Sequence, residues 1–214
     1  MNFFTAVLAA LSLAGAVAAN AATATAPAPP SNDETHRFLI ERTFPRGALD
    51  GLDAVTKEKV NANNASVGVQ WMQSYANADK TKTYCVYQGP NERAIRKAAE
   101  LNALPIDRIT EIPVDLDSGT GKAVVMSGAN HRYLIERTFK PGELEGLDVA
   151  GKAKINATNE RFGVHWVRSY ANADRTRTYC LYEGPSEAAV RKAADANGIS
   201  AVAITEVPVT LLPN

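Results

Sequence analysis

The sequence predicts an α+β protein built from two tandem βαββαβ units that press their sheets together as an internal pseudo-dimer. Three observations carry this. Residues 36–116 match residues 131–211 without a gap, and 47 of the 81 aligned positions are identical. A period of that length suits a small complete domain and is too long for a solenoid unit. Within each copy, apolar alternation and turn residues mark four strands and two helices. One such sheet covers a single face with its helices, so aromatic residues on the other face need a second sheet to bury them.

The first strand starts at Arg37 and runs to Phe44, with Phe38, Ile40 and Phe44 on one side and Leu39 on the other. Apolar residues on both faces suit a strand covered on both sides. Pro45-Arg46-Gly47 breaks it, as Pro141-Gly142 does in the second copy. A helix of modest propensity is expected over residues 50–66, where Leu52, Val55 and Val60 lie among three asparagines.

Val67–Ala76 reads as the second strand, with Val69, Trp71 and Tyr75 alternating. Asn77-Ala78-Asp79-Lys80 has turn chemistry and leads into a third strand, Lys82–Gln88, as a hairpin. Gly89-Pro90-Asn91 (Gly184-Pro185-Ser186 in the copy) ends that strand and starts a helix. This helix carries the stripe Ala94, Ile95, Ala98 and Ala99, repeated as Ala189, Val190, Ala193 and Ala194. Arg108–Leu116 is expected as the last strand. The order β-α-β-β-α-β is the ferredoxin-like arrangement, and doubling it gives the dimeric α/β-barrel type. Either Trp71 with Tyr75, or Tyr84 with Val86, is expected on the face between the sheets, which is also the natural place for a pocket.

The boundaries follow. Residues 1–21 are apolar, carry no charge and end in Ala19-Asn20-Ala21, which reads as a secretory signal peptide cut after Ala21 or Ala18. The run is short and alanine-rich for a membrane span of roughly 20 residues. Residues 22–35 read as a disordered leader, 36–116 as the first repeat, 117–130 as a linker and 131–212 as the second repeat. Export places the protein in the periplasm or outside the cell, with no membrane attachment after cleavage. The pseudo-dimer lies within one chain, so a monomer suffices to bury both sheets, and the sequence leaves the oligomeric state open.

Lys and Arg number 23, as do Asp and Glu. A neutral chain lacks the basic footprint of nucleic-acid binders. The two cysteines, Cys85 and Cys180, are equivalent positions within apolar strands. Export favours a disulfide, burial favours free thiols, and a bridge needs Cα atoms within about 6 Å.

No catalytic signature occurs: there is no Gly-x-Ser-x-Gly, His-Glu-x-x-His, Cys-x-x-Cys or phosphate-cradling loop. Single residues remain. His36 and His131 open the first strand of each copy, and His165 stands where the first copy has Gln70. Imidazole is the commonest metal ligand, although strand-end histidines also simply face solvent. Glu41 and Glu136 lie mid-strand and need partners to offset desolvation, Arg42 or another arginine being the candidates. Cys85 and Cys180 are soft ligands if they face an electropositive pocket, and ordinary core otherwise.

Leu-Ile-Glu-Arg-Thr-Phe, Gly-Val-x-Trp-x-x-Ser-Tyr, Lys-Thr-Tyr-Cys-Val-Tyr, and Gly-Pro followed by Ala-Ile-Arg-Lys-Ala-Ala and Ile-Thr-Glu occur in this order. The combination resembles the DUF4242 domains over residues 37–112 and 132–207. The resemblance implies small ferredoxin-like domains that dimerise sheet to sheet, some of them nickel-binding. An apparent leader and the tandem form are departures from the usual single domain.

The leading expectation is therefore an exported, non-catalytic protein that binds a divalent transition metal, nickel first. His36, Glu41, Cys85, His131, Glu136, Cys180 and His165 are the candidate ligands. The alternatives are a small-molecule enzyme with its pocket between the sheets, and a structural or interaction module.

Overall fold

The computed structural model describes residues 35–119 and 130–214. The expected signal peptide, the leader up to residue 34 and most of the expected linker lie outside them. The first copy supplies β1 (His36–Thr43), α1 (Ala54–Ala65), β2 (Gln70–Ala76), β3 (Lys82–Gly89), α2 (Glu92–Leu101), β4 (Arg108–Glu111) and β5 (Val114–Asp117). The second supplies β6 (His131–Thr138), α3 (Val149–Glu160), β7 (His165–Ala171), β8 (Arg177–Gly184), α4 (Glu187–Ala196), β9 (Ala203–Glu206) and β10 (Val209–Leu211).

Local chemistry sets the helix ends. α1 begins later than the expected residue 50 because Asp53 caps it, its Oδ1 accepting the Thr56 N–H at 2.8 Å. Asp148 does the same for α3 through the Gly151 N–H. Asn91 and Ser186 cap α2 and α4. The asparagines that weaken α1 as a helix also tie it to its neighbour: the Asn102 amide donates to Asn64 Oδ1 at 2.9 Å, and Asn197 donates to Asn159 at the same distance.

The expected last strand, Arg108–Leu116, is in fact two strands in different sheets. Pro113 has no N–H to continue the ladder, and the chain turns there. β4 stays beside β1, whereas β5 crosses over and pairs with β7, Val114 opposite Ala171 and Leu116 opposite Ser169. Pro208 does the same in the second copy, sending β10 to β2 of the first. The result is two antiparallel five-stranded sheets, ordered β10-β2-β3-β1-β4 and β5-β7-β8-β6-β9. Each copy thus closes the other's sheet. Asp117, the first residue of the expected linker, still pairs with Arg168 at the end of β5.

Three apolar layers result. Leu39, Tyr75, Tyr84, Val86 and Ile112 meet Leu134, Tyr170, Tyr179, Leu181 and Val207 in one cluster between the sheets. Phe38, Ile40, Trp71, Cys85, Tyr87 and Ile95 pack between the first sheet and its helices, joined by Leu211 from the far end of the chain. The second repeat mirrors this, with Leu116 as the visitor. Trp71 and Tyr75, two pleats apart in sequence, point to opposite faces. A bulge between Trp71 and Gln73 inserts one residue and inverts the alternation. Trp71 therefore faces the helices, its Nε1 donating to Ser74 Oγ at 3.0 Å, while Tyr75 joins Tyr84 and Val86 between the sheets.

Candidate functional site

Glu41 and Glu136 share a strand face with Leu39 and Leu134, so both carboxylates enter the layer between the sheets. Arg42 is not the partner of Glu41, because consecutive strand residues point to opposite faces. Instead the Tyr179 hydroxyl of the other repeat donates to Glu41 Oε1 at 2.8 Å. Arg108, directly across on β4, and Lys82 complete the set at 3.2 and 3.4 Å. Glu136 receives the Tyr84 hydroxyl at 2.8 Å, but Ala203 stands where the first copy has Arg108.

Because the single proton of the Tyr84 hydroxyl goes to Glu136, the Thr205 hydroxyl at 3.0 Å must donate to it. Burial pushes the Tyr84 phenol up, and the Glu136 charge adds to that, so it stays a donor. Burial likewise raises Tyr179, with Glu41 adding to the rise. Both carboxylates thus act as ties across the pseudo-dimer.

The two ties are chemically alike but unequally supported. Tyr84→Phe should destabilise the protein by roughly 1–3 kcal/mol, because it strips a buried carboxylate of its donor. Tyr179→Phe should cost less, since Glu41 keeps Lys82 and Arg108. Urea denaturation of the two variants measures this, and equal losses would refute the asymmetry.

Nearer the other end of the layer, the Gln73 amide donates to the Tyr75 hydroxyl at 2.8 Å and to that of Tyr170 at 3.2 Å. Arg168, the counterpart of Gln73, donates to the Tyr170 hydroxyl at 3.3 Å. Fully buried Glu183, where the first copy has Gln88, accepts Arg132 at 2.8 Å. Thr110, Thr205, Arg168 and Glu183 escaped the sequence reading. For the last two, the readable signal was a charge in one copy at a strand position where the other is neutral. The expected face between the sheets is lined by the buried cluster that includes Leu39, Tyr84, Leu134 and Tyr179.

Two cavities lie on the helix side of the sheets, one in each repeat. One of about 50 Å³ is lined by Arg42, Leu49, Leu52, Trp71, Cys85 and Leu211 among others. Its copy of about 40 Å³ is lined by Arg137, Leu144, Trp166, Cys180 and Leu116 among others. Both cysteines are free and buried, each within 3.3 Å of a threonine hydroxyl, Thr83 or Thr178. They belong to outer clusters of different sheets, with the inter-sheet layer between them. That placement leaves no disulfide.

His36 Nδ1 lies 2.7 Å from Glu111 Oε1, and His131 Nδ1 lies 2.7 Å from Glu206 Oε1. A carboxylate only accepts, so each Nδ1 is the donor and each Nε2 is the nitrogen turned away from the carboxylate. His165 is exposed at the start of β7, opposite Glu183 in register. The seven candidate ligands are therefore dispersed: histidines at strand ends, glutamates between the sheets, thiols under the helices. Among the described residues, no group of three or more His, Cys, Asp or Glu side chains could hold a metal ion.

A family model described as "Nickel responsive protein SCO4226-like" matches residues 38–112 and again residues 133–207. The crystal structure of SCO4226 from Streptomyces coelicolor A3(2) is 23% identical and covers 36% of this chain and 96% of that one, with a TM-score of 0.32. A protein of Lactobacillus acidophilus NCFM described as a candidate monooxygenase is 10% identical over 85% of this chain and 98% of its own, TM-score 0.42. Chlorite dismutase from Candidatus Nitrospira defluvii in complex with imidazole is 9% identical over 83% and 90%, TM-score 0.39. No curated protein matches the chain.

Proposed function

The chain belongs to the nickel-responsive SCO4226-like family, and from that premise we propose that it is an exported, non-catalytic protein that takes up a divalent transition metal, nickel first. The dispersed candidates do not fit a closed resident centre. Glu41 and Glu136 are engaged in cross-sheet ties, and the thiols are buried in separate layers. What fits is open, exchangeable coordination at the strand-end imidazoles.

The observation that carries this is the pair His36–Glu111, repeated as His131–Glu206 at the same 2.7 Å. A carboxylate holding Nδ1–H orients the ring and makes Nε2 a better ligand. Water or a second protein would complete the coordination sphere.

Calorimetric titration of the purified protein with nickel and zinc tests it. Saturable binding of about two ions per chain is expected, lost in the H36A/H131A variant and roughly 10–100-fold weaker in E111Q/E206Q. No saturable heat rejects metal binding. Binding that survives H36A/H131A rejects the strand-end assignment. Export rests on residues 1–21. Mass spectrometry of protein recovered from the periplasm or medium should find an N-terminus at Ala22 or Ala19, and a retained Met1 would reject cleavage.

A further inference from the structure

The two cross-sheet carboxylates stand in the same backbone frame but keep different company. Glu41 lies opposite Arg108 and Glu136 opposite Ala203, at matching positions in register. The Asp107 N–H donates to the Glu41 carbonyl at 2.9 Å, and the Val202 N–H donates to the Glu136 carbonyl at 2.8 Å. In the first repeat Glu41 Oε1 holds both the Tyr179 hydroxyl and Arg108 Nε, while Oε2 holds Lys82 Nζ. In the second, Glu136 Oε1 holds the Tyr84 hydroxyl alone. Among the described residues no cation lies within ion-pair distance of Glu136. Arg177, the counterpart of Lys82, stands opposite Thr138 and forms no ion pair with it. A carboxylate at 9% exposure with one donor is poorly compensated for its lost hydration.

The first repeat shows what the open place accepts. The Arg108 side chain is 50% exposed there, so its guanidinium reaches Glu41 from the surface. Alanine in the same backbone frame leaves a notch beside Glu136, matched to the arginine side chain beyond its Cβ. Unlike Glu183 Oε2, which is sealed and partnerless, Glu136 Oε2 still meets solvent. We infer that the second repeat binds a monoalkylguanidinium ion in the place that Arg108 holds in the first. One planar fork gives an N–H to each oxygen of Glu136, replacing the two separate cations of Glu41. The alkyl group takes the course of the Arg108 stem. The site uses neither the strand-end histidines nor a metal, so it stands apart from the proposed nickel binding.

The test is ¹H–¹⁵N NMR of the purified full chain, metal-free, titrated with ethylguanidinium at constant ionic strength. The backbone amides of Glu136 and Ala203 should shift saturably. Tetramethylammonium, a charge without donors, should bind roughly tenfold or more weakly. Ala203→Arg supplies the guanidinium from within the chain, so it should abolish binding and raise the melting midpoint. Glu136→Gln keeps the shape and removes the charge, and should weaken binding roughly tenfold. That variant decides the matter if Ala203→Arg does not fold. Unmoved amides, tetramethylammonium matching ethylguanidinium, or binding that survives either variant undiminished would each overturn the inference. N-acetylarginine methylamide binding tenfold more tightly than ethylguanidinium would also overturn it, assigning the notch to an arginine of a protein partner instead.

Discussion

Produced without its second copy, the segment 35–119 should form a homodimer that rebuilds both sheets. Alone, it would leave Leu39, Tyr75, Tyr84, Val86 and Ile112 bare, and all five are buried in the layer between the sheets. β5 would have no β7 to pair with, and the edge of β2 would lack β10. An exposed apolar face beside an unpaired edge drives association. A second copy of the same segment is chemically equipped to answer it. Its β5 aligns residue for residue with β10, and its Tyr84 can reach the partner's carboxylate as Tyr179 reaches Glu41. Light scattering after gel filtration should give twice the segment's mass, and the thermal midpoint should rise with concentration. Ile112→Asp, which places a charge in the shared layer, should prevent assembly. A folded, concentration-independent monomer would show that the sheets do not need each other.

In the intact chain, Leu39→Ala and Leu134→Ala should each cost about 2–5 kcal/mol. Both side chains are buried in the inter-sheet layer, at 0% and 1% exposure. For a protein of this size the loss lowers the melting midpoint by roughly 4–20 °C. Leu101→Ala, at 43% exposure, should stay within about 0.5 kcal/mol as an ordinary surface change. The shape of the transition is equally informative. Since β5 and β10 bind each copy into the other's sheet, both repeats should melt together in one calorimetric transition, whichever leucine is cut. Separate melting of one repeat ahead of the other would refute this welding.

The candidate site was only partly legible. His36 and His131 could be read as strand-end imidazoles, but not their carboxylates. Glu111 and Glu206 are 75 residues away, and only the pairing of β1 with β4 and of β6 with β9 brings each near. Glu41 and Glu136 were recognised as carboxylates needing partners, and an arginine does serve Glu41. It is Arg108 from β4 rather than neighbouring Arg42, and the tyrosine hydroxyl from the opposite repeat left no trace in local sequence. Cys85 and Cys180 were legible as strand residues within an apolar pattern. Their distance from the glutamates follows from strand parity, which separates position 40, opposite Cys85, from position 41.

The near-identity of the copies, the order of their elements, the capping residues and the need to bury a second sheet face were all determined by the sequence, because each depends on neighbours a few residues apart or on simple composition. Where β5 and β10 go, which way Trp71 points and which hydroxyl meets which carboxylate were decided by the tertiary structure alone. A proline announces that a ladder must stop without saying which distant edge the chain joins next. One inserted residue at a bulge reverses every side chain that follows it. Those choices are settled by hydrogen-bond register and packing between segments far apart in the chain, where many alternatives share the same local chemistry.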